Sequence, residues 1–380
     1  ADINNDMKKD LIMGNSRGTI NVIDYTGQSL EGWPVQTNKY ISYGPAAGDL
    51  DNDGDLEVVL GDFNGYLYIL NSDGSYKIQP EKLSQYPIIT PSLADVTGDK
   101  NLEIIFNDRG GNLYVADNNG SLIWSKYLSY PSLTDSDSWP PSSYNSVSVG
   151  DLNKDGKNEI ITSSVYQTYL GSNPPEWPDQ LIWVFDGNGS LSSGWPKETT
   201  YDFEREFIIA DLNDDGFREI IFEENIMGDY GNTSIYVHAL NYTGKDINGW
   251  PININKFIDS SYKWTYIDSL SVGDINNNGD LDIVLSLQAV VGAGIYSQVP
   301  VFCLVAIDNE RNLLDGFPLC PGYDLLDGNE ANPKMVFYGV PTLANIDKDA
   351  EMEILTTSYG GLYVNNLSTF YAINHDGSIV

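Results

Sequence analysis

The sequence predicts an all-β chain: a seven-bladed β-propeller whose blades are four-stranded and antiparallel. Three observations carry this reading. An acidic nine-residue stretch recurs seven times, starting at residues 2, 49, 95, 151, 211, 274 and 345, and intervals of 46 to 71 residues suit a propeller blade with growing insertions. Each stretch runs into a short apolar segment such as Val58-Val59-Leu60, Ile104-Ile105-Phe106 or Ile160-Ile161, the pattern of a buried strand. The 36 glycines, 25 tyrosines and 8 tryptophans favour short strands and turns over helices.

The stretch Asp49–Glu57 shows the chemistry of the repeat. Oxygen side chains stand at positions one, three, five and nine, Gly54 stands at position six, and the position-seven backbone carbonyl completes a donor set. Such a set suits a hard divalent cation that takes several oxygens at once, and calcium is the expected ion. The glycine lets the chain bend sharply enough to return the ninth residue to the same ion. The candidate ligands of the seven loops, in chain order, are Asp2, Asn4, Asp6, Lys8 and Asp10; Asp49, Asp51, Asp53, Asp55 and Glu57; Asp95, Thr97, Asp99, Asn101 and Glu103; Asp151, Asn153, Asp155, Lys157 and Glu159; Asp211, Asn213, Asp215, Phe217 and Glu219; Asp274, Asn276, Asn278, Asp280 and Asp282; and Asn345, Asp347, Asp349, Glu351 and Glu353. In each set the fourth name is position seven, which offers its carbonyl. A calcium-binding helix-loop-helix would need a glutamate at position twelve and flanking helices, and the strand-like runs oppose it.

Each unit repeats one grammar. A strand A leads into the acidic loop, strand B follows, and an alternating strand C such as Tyr66–Leu70 ends in a tight turn. The outermost strand, D, opens with Gly32-Trp33-Pro34, Gly194-Trp195-Pro196 or Gly249-Trp250-Pro251, with Gly316-Phe317-Pro318 as a variant. Proline suits an edge strand, having no N–H for a further neighbour. The expected organisation is one domain over residues 1–380, with units starting near 1, 42, 88, 144, 204, 267 and 337 and the first and last blades incomplete.

This grammar resembles the FG-GAP repeats of integrin alpha-subunit propellers and the related secreted repeats of bacteria and archaea, the VCBS type among them. The resemblance runs through the whole chain and implies a seven-bladed propeller used as a recognition platform; the fold itself names no ligand. The chain departs from the pattern where Met7, Lys100 and Ala350 replace the loop glycine, where Asn345 replaces the leading aspartate, and where the sixth loop keeps two carboxylates. Weaker binding is expected in the first, third, sixth and seventh loops.

A net charge of −34 speaks against nucleic acid and anionic membrane surfaces, and seven divalent ions would leave about −20. No apolar stretch is long enough to span a bilayer. The chain begins on a cation loop, so an export signal is expected upstream. Sequons at Asn119, Asn188, Asn232, Asn241 and Asn366 suit a secreted glycoprotein, although Asn-Gly-Ser is also good turn sequence. The expected setting is extracellular or cell-surface.

Antiparallel order puts the B–C and D–A loops at the end of each blade opposite the cation loops. The long insertions, Tyr130–Asn145, Ser163–Gln180, Glu223–Thr233, Asn255–Ser269, Leu287–Val299 and Pro321–Val336, all fall there. They carry Trp139, Tyr144, Tyr169, Trp177 and Trp264, which either bind a protein or glycan or plug the loops against one another. The expected function is adhesion or surface recognition, with a lectin or the propeller part of a carbohydrate-active enzyme as alternatives.

Two histidines and the absence of a Gly-x-Ser-x-Gly elbow, a phosphate loop or zinc-ligand spacing argue against an enzyme. His238 falls where other units place Tyr68, Tyr114, Trp183 and Tyr371, so a packed core residue is expected, while His375 is expected in solvent. Cys303 and Cys320 match the pairs Thr19/Gln36, Leu181/Glu198 and Tyr236/Asn253 of other C–D hairpins. They form either a disulfide or two buried thiols.

Overall fold

The structure is a computed structural model. It describes residues 1–37, 39–129, 142–143, 145–166, 179–199, 207–227, 233–258, 263–291, 299–320, 323–326, 330–333, 338–347, 349–358 and 369–380. The chain divides into two compact units, Ala1–Phe207 and Ile208–Val380.

The first unit holds four antiparallel sheets in chain order. They are β1 (Leu11–Gly14), β2 (Thr19–Ile23) and β3 (Val35–Gln36); β4 (Ala46–Gly48), β5 (Glu57–Gly61), β6 (Tyr66–Leu70) and β7 (Glu81–Lys82); β8 (Ser92–Ala94), β9 (Glu103–Asn107), β10 (Asn112–Ala116) and β11 (Leu122–Tyr127); and β12 (Ser148–Gly150), β13 (Glu159–Tyr166), β14 (Asp179–Phe185) and β15 (Lys197–Thr199). Successive sheets pack on one another through apolar layers. Ile20 and Val22 meet Val58, Leu60 and Tyr68; Val59 and Ile69 meet Ile104 and Phe106; Ile105 and Val115 meet Ile160 and Trp183.

The second unit holds β16 (Ile208–Ala210), β17 (Glu219–Met227), β18 (Thr233–Leu240) and β19 (Ile252–Asn253); β20 (Lys263–Gly273), β21 (Asp282–Val291) and β22 (Val299–Ile307); a hairpin of β23 (Tyr323–Leu326) and β24 (Glu330–Pro333); and β25 (Tyr338–Ala344), β26 (Glu353–Ser358) and β27 (Thr369–Ile373). Here Ile221 and Val237 pack with Ile283 and Val305, and Val284 and Leu304 pack with Ile354 and Ile373. Each sheet is a simple up-and-down meander, the expected A-to-D order.

Three expectations need correction. Four strands per sheet hold for the second to fifth of the seven larger sheets; among the described residues the first and seventh, where incomplete blades are expected, have three, and so does the sixth, where four are expected. In the sixth, strand D is the single bridge Leu304↔Leu319 among the described residues, and the sequence places Pro321, which has no N–H to donate to a ladder, two positions beyond Leu319. Parts of the expected long loops are strand instead: β17 and β18 stay paired from Ile220↔Leu240 to Met227↔Thr233, and β21 and β22 from Ile283↔Ile307 to Val291↔Val299. His375 is half-buried beside Asp376 and lines a cavity with Asn276, Leu313, Leu314 and Asp315.

The Gly-Trp-Pro segments precede β3, β15 and β19, and the X–Pro bonds of all four such segments are cis. Their packing is tight. Gly32 has φ +84°, and a Cβ there would fall on the Asp73 carbonyl oxygen in the neighbouring C–D turn, while Trp33 Nε1 donates to the Ser72 carbonyl at 3.0 Å. Cys303, fully buried, is joined by a disulfide to Cys320. The pairs Thr19↔Gln36, Leu181↔Glu198 and Tyr236↔Asn253 lie opposite one another on neighbouring strands.

Candidate metal centres

Every acidic stretch folds into the turn that leads into a strand B. In the six sheets with a strand A, a glycine or alanine faces the position-nine acid across the ladder: Gly48↔Glu57, Ala94↔Glu103, Gly150↔Glu159, Ala210↔Glu219, Gly273↔Asp282 and Ala344↔Glu353. Because that acid begins a buried strand, its carboxylate is drawn under the loop. One of its oxygens accepts the N–H of position two in all seven loops, at 2.6–3.0 Å, from Ile3, Leu50, Val96, Leu152, Leu212, Ile275 and Ile346.

The leading aspartate shapes the rest of the turn. Asp49 accepts the N–H groups of Asp53 (3.1 Å) and Gly54 (2.9 Å). Asp2, Asp151, Asp211 and Asp274 repeat this with positions five and six, and Asp95 does so with Gly98 and Lys100. The position-five side chain in turn accepts from position seven, that is from Lys8, Asp55, Asn101, Lys157, Phe217, Asp280 and Glu351. Asn4, Asn153, Asn213, Asn276 and Asp347 accept the position-five N–H. The acids therefore gather because each terminates a backbone hydrogen bond of one turn.

Position six is left-handed in the first six loops, including Met7 (φ 68°) and Lys100 (φ 77°) beside Gly54 (φ 96°). Loss of the glycine there costs strain but leaves the turn in place. The seventh loop departs more: Ala350 is not left-handed, and Asn345 donates its amide to the Asp349 carbonyl. Carboxylate oxygens of Asp49, Asp51 and Glu57 nevertheless lie within 4.8 Å of one another, as do those of Asp347, Asp349 and Glu353.

The fit to a cation rests on the second oxygen of the position-nine acid. In Asp10, Glu219 and Asp282 it is buried with no hydrogen-bond partner. A buried, unpartnered carboxylate oxygen is costly unless positive charge is supplied. Burial pushes Glu219 up to about 7 and Asp282 up to about 6, with the neighbouring acids Asp215, Asp211 and Asp274 adding to the rise. Burial likewise raises Glu103 and Glu159. A divalent ion held by positions one, three, five and nine would meet the orphaned oxygen and offset the desolvation.

Other loops satisfy that oxygen internally. Thr97 Oγ donates to Glu103 at 3.2 Å, and Asn153 Nδ2 to Glu159 at 2.9 Å. In the second loop the partner is a cation from the same sheet: Lys77 Nζ lies 2.6 Å from Asp51 Oδ2 and 3.0 Å from Glu57 Oε1. Burial works against the charged lysine, but the bonds to Asp51 and Glu57 outweigh it and raise its pKa. Sequence reading missed Lys77 because it lies outside the nonapeptide. It also missed the links between loops of the first unit. Position-four Asn5 donates to Asp55 Oδ1 (2.8 Å), Asn52 donates to the Lys100 carbonyl (2.8 Å), and Asn158 donates to the Asp95 carbonyl (2.9 Å).

Trp139, Tyr144, Tyr169 and Trp177 lie outside the described residues, and Trp264 falls in β20 with its side chain outside them. Of the sequons, Asn119 and Asn188 are exposed in C–D turns and Asn241 is half-buried in one, while Asn232 and Asn366 are outside the described residues. His238 is clamped between Asp246 (3.1 Å) and Glu224 (3.2 Å) and stacks on Phe222. Burial opposes its charge, but the bonds to those two acids prevail and lift it to about 9.

Repeated acidic A–B turns on a series of antiparallel meanders define a repeat protein of propeller-like construction. The profile of the FG-GAP-like repeat matches residues 2–60, 49–106 and 95–162, each match running from the start of one acidic loop to the strand beyond the next. Over that stretch the chain is similar to the FG-GAP-like repeat family. Among solved structures, the quinohemoprotein alcohol dehydrogenase from Comamonas testosteroni is similar at 12% identity and TM-score 0.55, over 97% of this chain and 64% of that one. The chain thus spans less than two thirds of that enzyme. A europium-containing methanol dehydrogenase (11% identity, TM-score 0.48, 93% and 82% covered) and BBS1N in complex with ARL6DN (9%, 0.46, 100% and 88%) are also similar. At such identities the first likeness supports the fold alone. No curated protein matches the sequence.

Proposed function

We propose that residues 1–380 form one seven-bladed β-propeller that binds calcium structurally in its A–B loops. In this reading it works outside the cell as an adhesion or recognition module for a protein or glycan. The observation that carries the calcium reading is the set of buried, unpartnered oxygens on Asp10, Glu219 and Asp282, the position-nine acids of loops rich in hard oxygen donors. Calcium supplies the charge that this donor set lacks and ties strand A to strand B at each loop. The Cys303–Cys320 bond supports an oxidising compartment, and the acidic surface supports a partner other than nucleic acid. Recognition is assigned to the loop end opposite the ions, where Trp139, Tyr144, Tyr169, Trp177 and Trp264 fall by strand order; no catalytic group is assigned.

A crystal grown in millimolar calcium tests the metal reading through anomalous scattering. Peaks beside Asp10, Glu219 and Asp282 are expected, and featureless loops would refute it. Recognition is tested by replacing Trp139, Trp177 and Trp264 together with alanine and assaying glycan arrays and extracellular protein panels. Binding equal to the wild type across both would remove this role.

A further inference from the structure

The second loop carries four carboxylates at ligand positions, more than any other, and a basic side chain, Lys77, reaches into it. Lys77 follows the tight turn Asn71–Ser75, and its N–H donates to the Ile69 carbonyl. The same backbone bond occurs at Leu30, Ser192, Ile247, Leu314 and Val380, which donate to Val22, Val184, Ala239, Ala306 and Ala372. None of those residues has a charged side chain. Lys77 is therefore an exception within a repeated position, and its side chain, 14% exposed, crosses to the loop.

Its ammonium binds the acids of positions three and nine, Asp51 and Glu57, while Asp49 converges on the same point. Glu57 is only 2% exposed, and its other oxygen is held by the Leu50 N–H. Glu57 is thus fully partnered, unlike Asp10, Glu219 and Asp282 at the same position. An ammonium within 3.0 Å of two ligand oxygens leaves no room for a calcium ion on them, since that ion needs the same oxygens at 2.3–2.6 Å.

We propose that Lys77 is the resident cation of the second loop, closing that turn without metal and making it the last of the loops to take calcium. This rests on the calcium reading of the other loops. The richest donor set in the chain is thereby a metal-independent clamp, and calcium enters it only as the lysine withdraws.

Calcium binding to the full chain, wild type and Lys77→Met, tests this by equilibrium dialysis. Once the wild type has reached its plateau, the variant is expected to hold one further ion, with affinity at the second loop raised about tenfold or more. In chelator the variant should melt below the wild type, and saturating calcium should close that gap. Identical stoichiometry and affinity in the two proteins would overturn the role of Lys77 while leaving the calcium reading intact. Absence of binding in both would overturn both. A further measurement needs no variant: amine acylation of the wild type followed by mass spectrometry. Lys77 should react several-fold more slowly than exposed Lys245 in chelator, and equal rates would overturn the proposal.

Discussion

Asn52, at the fourth position of the second acidic loop, donates its side-chain amide to the backbone carbonyl of Lys100 at the sixth position of the third. Asn5 makes the same kind of reach from the first loop to the second, to Asp55 Oδ1. Both asparagines are left-handed, at φ 60° and 57°, a conformation that asparagine tolerates better than most residues. The third loop has Gly98 at this place, with no side chain to extend the series, and Asn158 supplies the link from the fourth loop instead.

These links predict a measurable cost when broken. Asn52→Ala should lower stability by about 1 kcal/mol, from the lost hydrogen bonds and from the less tolerated left-handed turn. Urea unfolding checks this, and the change should appear in the midpoint with the slope unaltered. An alanine variant as stable as the parent would show the link to be idle.

The buried acids predict how stability depends on pH. Glu219 rises from its ordinary 4.5 to about 7 in the folded, metal-free protein. The unfolded chain ionises first, so the contribution of Glu219 is fully present below about 4.5 and is lost as pH rises through 7. His238, lifted from 6.5 to about 9, behaves alike in a higher window: its contribution is present below 6.5 and lost through 9. The melting temperature in chelator should therefore fall from pH 5 to pH 8. Glu219→Gln should flatten the lower part of that slope and His238→Gln the upper part. A metal-free protein that grows more stable across this range would contradict the assignment.

The Cys303–Cys320 bond closes a hairpin with a sequence separation of 17. Loop-closure entropy for a span of that size gives about 3 kcal/mol. Replacing both cysteines with serine should cost that amount or more, since Cys303 is fully buried and its serine would have to lose water. Calorimetry on the double variant checks the magnitude; a loss under about 1 kcal/mol would mean the bridge carries little of the hairpin.

How much of this was legible in the sequence follows from where each determinant lies. The seven turns could be read because each is coded by nine contiguous residues, and strand order followed from the apolar runs between them. The facing of Thr19 with Gln36 and of Cys303 with Cys320 followed from equal spacing across a short turn. Lys77 and Asn52 could not be read, because each acts on residues of a different segment: Lys77 on acids 20 and 26 positions upstream, Asn52 on the next repeat 48 positions away. The extension of β17 and β18 through Glu223 and Glu224 was also hidden, because acidic residues there look like loop sequence although both are buried.

In the proposed role, calcium completes the acidic turns. For an extracellular-type site with a dissociation constant near 10⁻⁴ M, millimolar calcium stabilises by about 1.4 kcal/mol per occupied loop. Several occupied loops would then rival the stability of a whole domain. Thermal unfolding in millimolar calcium and in excess chelator, at one pH and ionic strength, measures this most directly. A markedly lower melting temperature in chelator, restored by added calcium, is the predicted result; superimposable curves would contradict it.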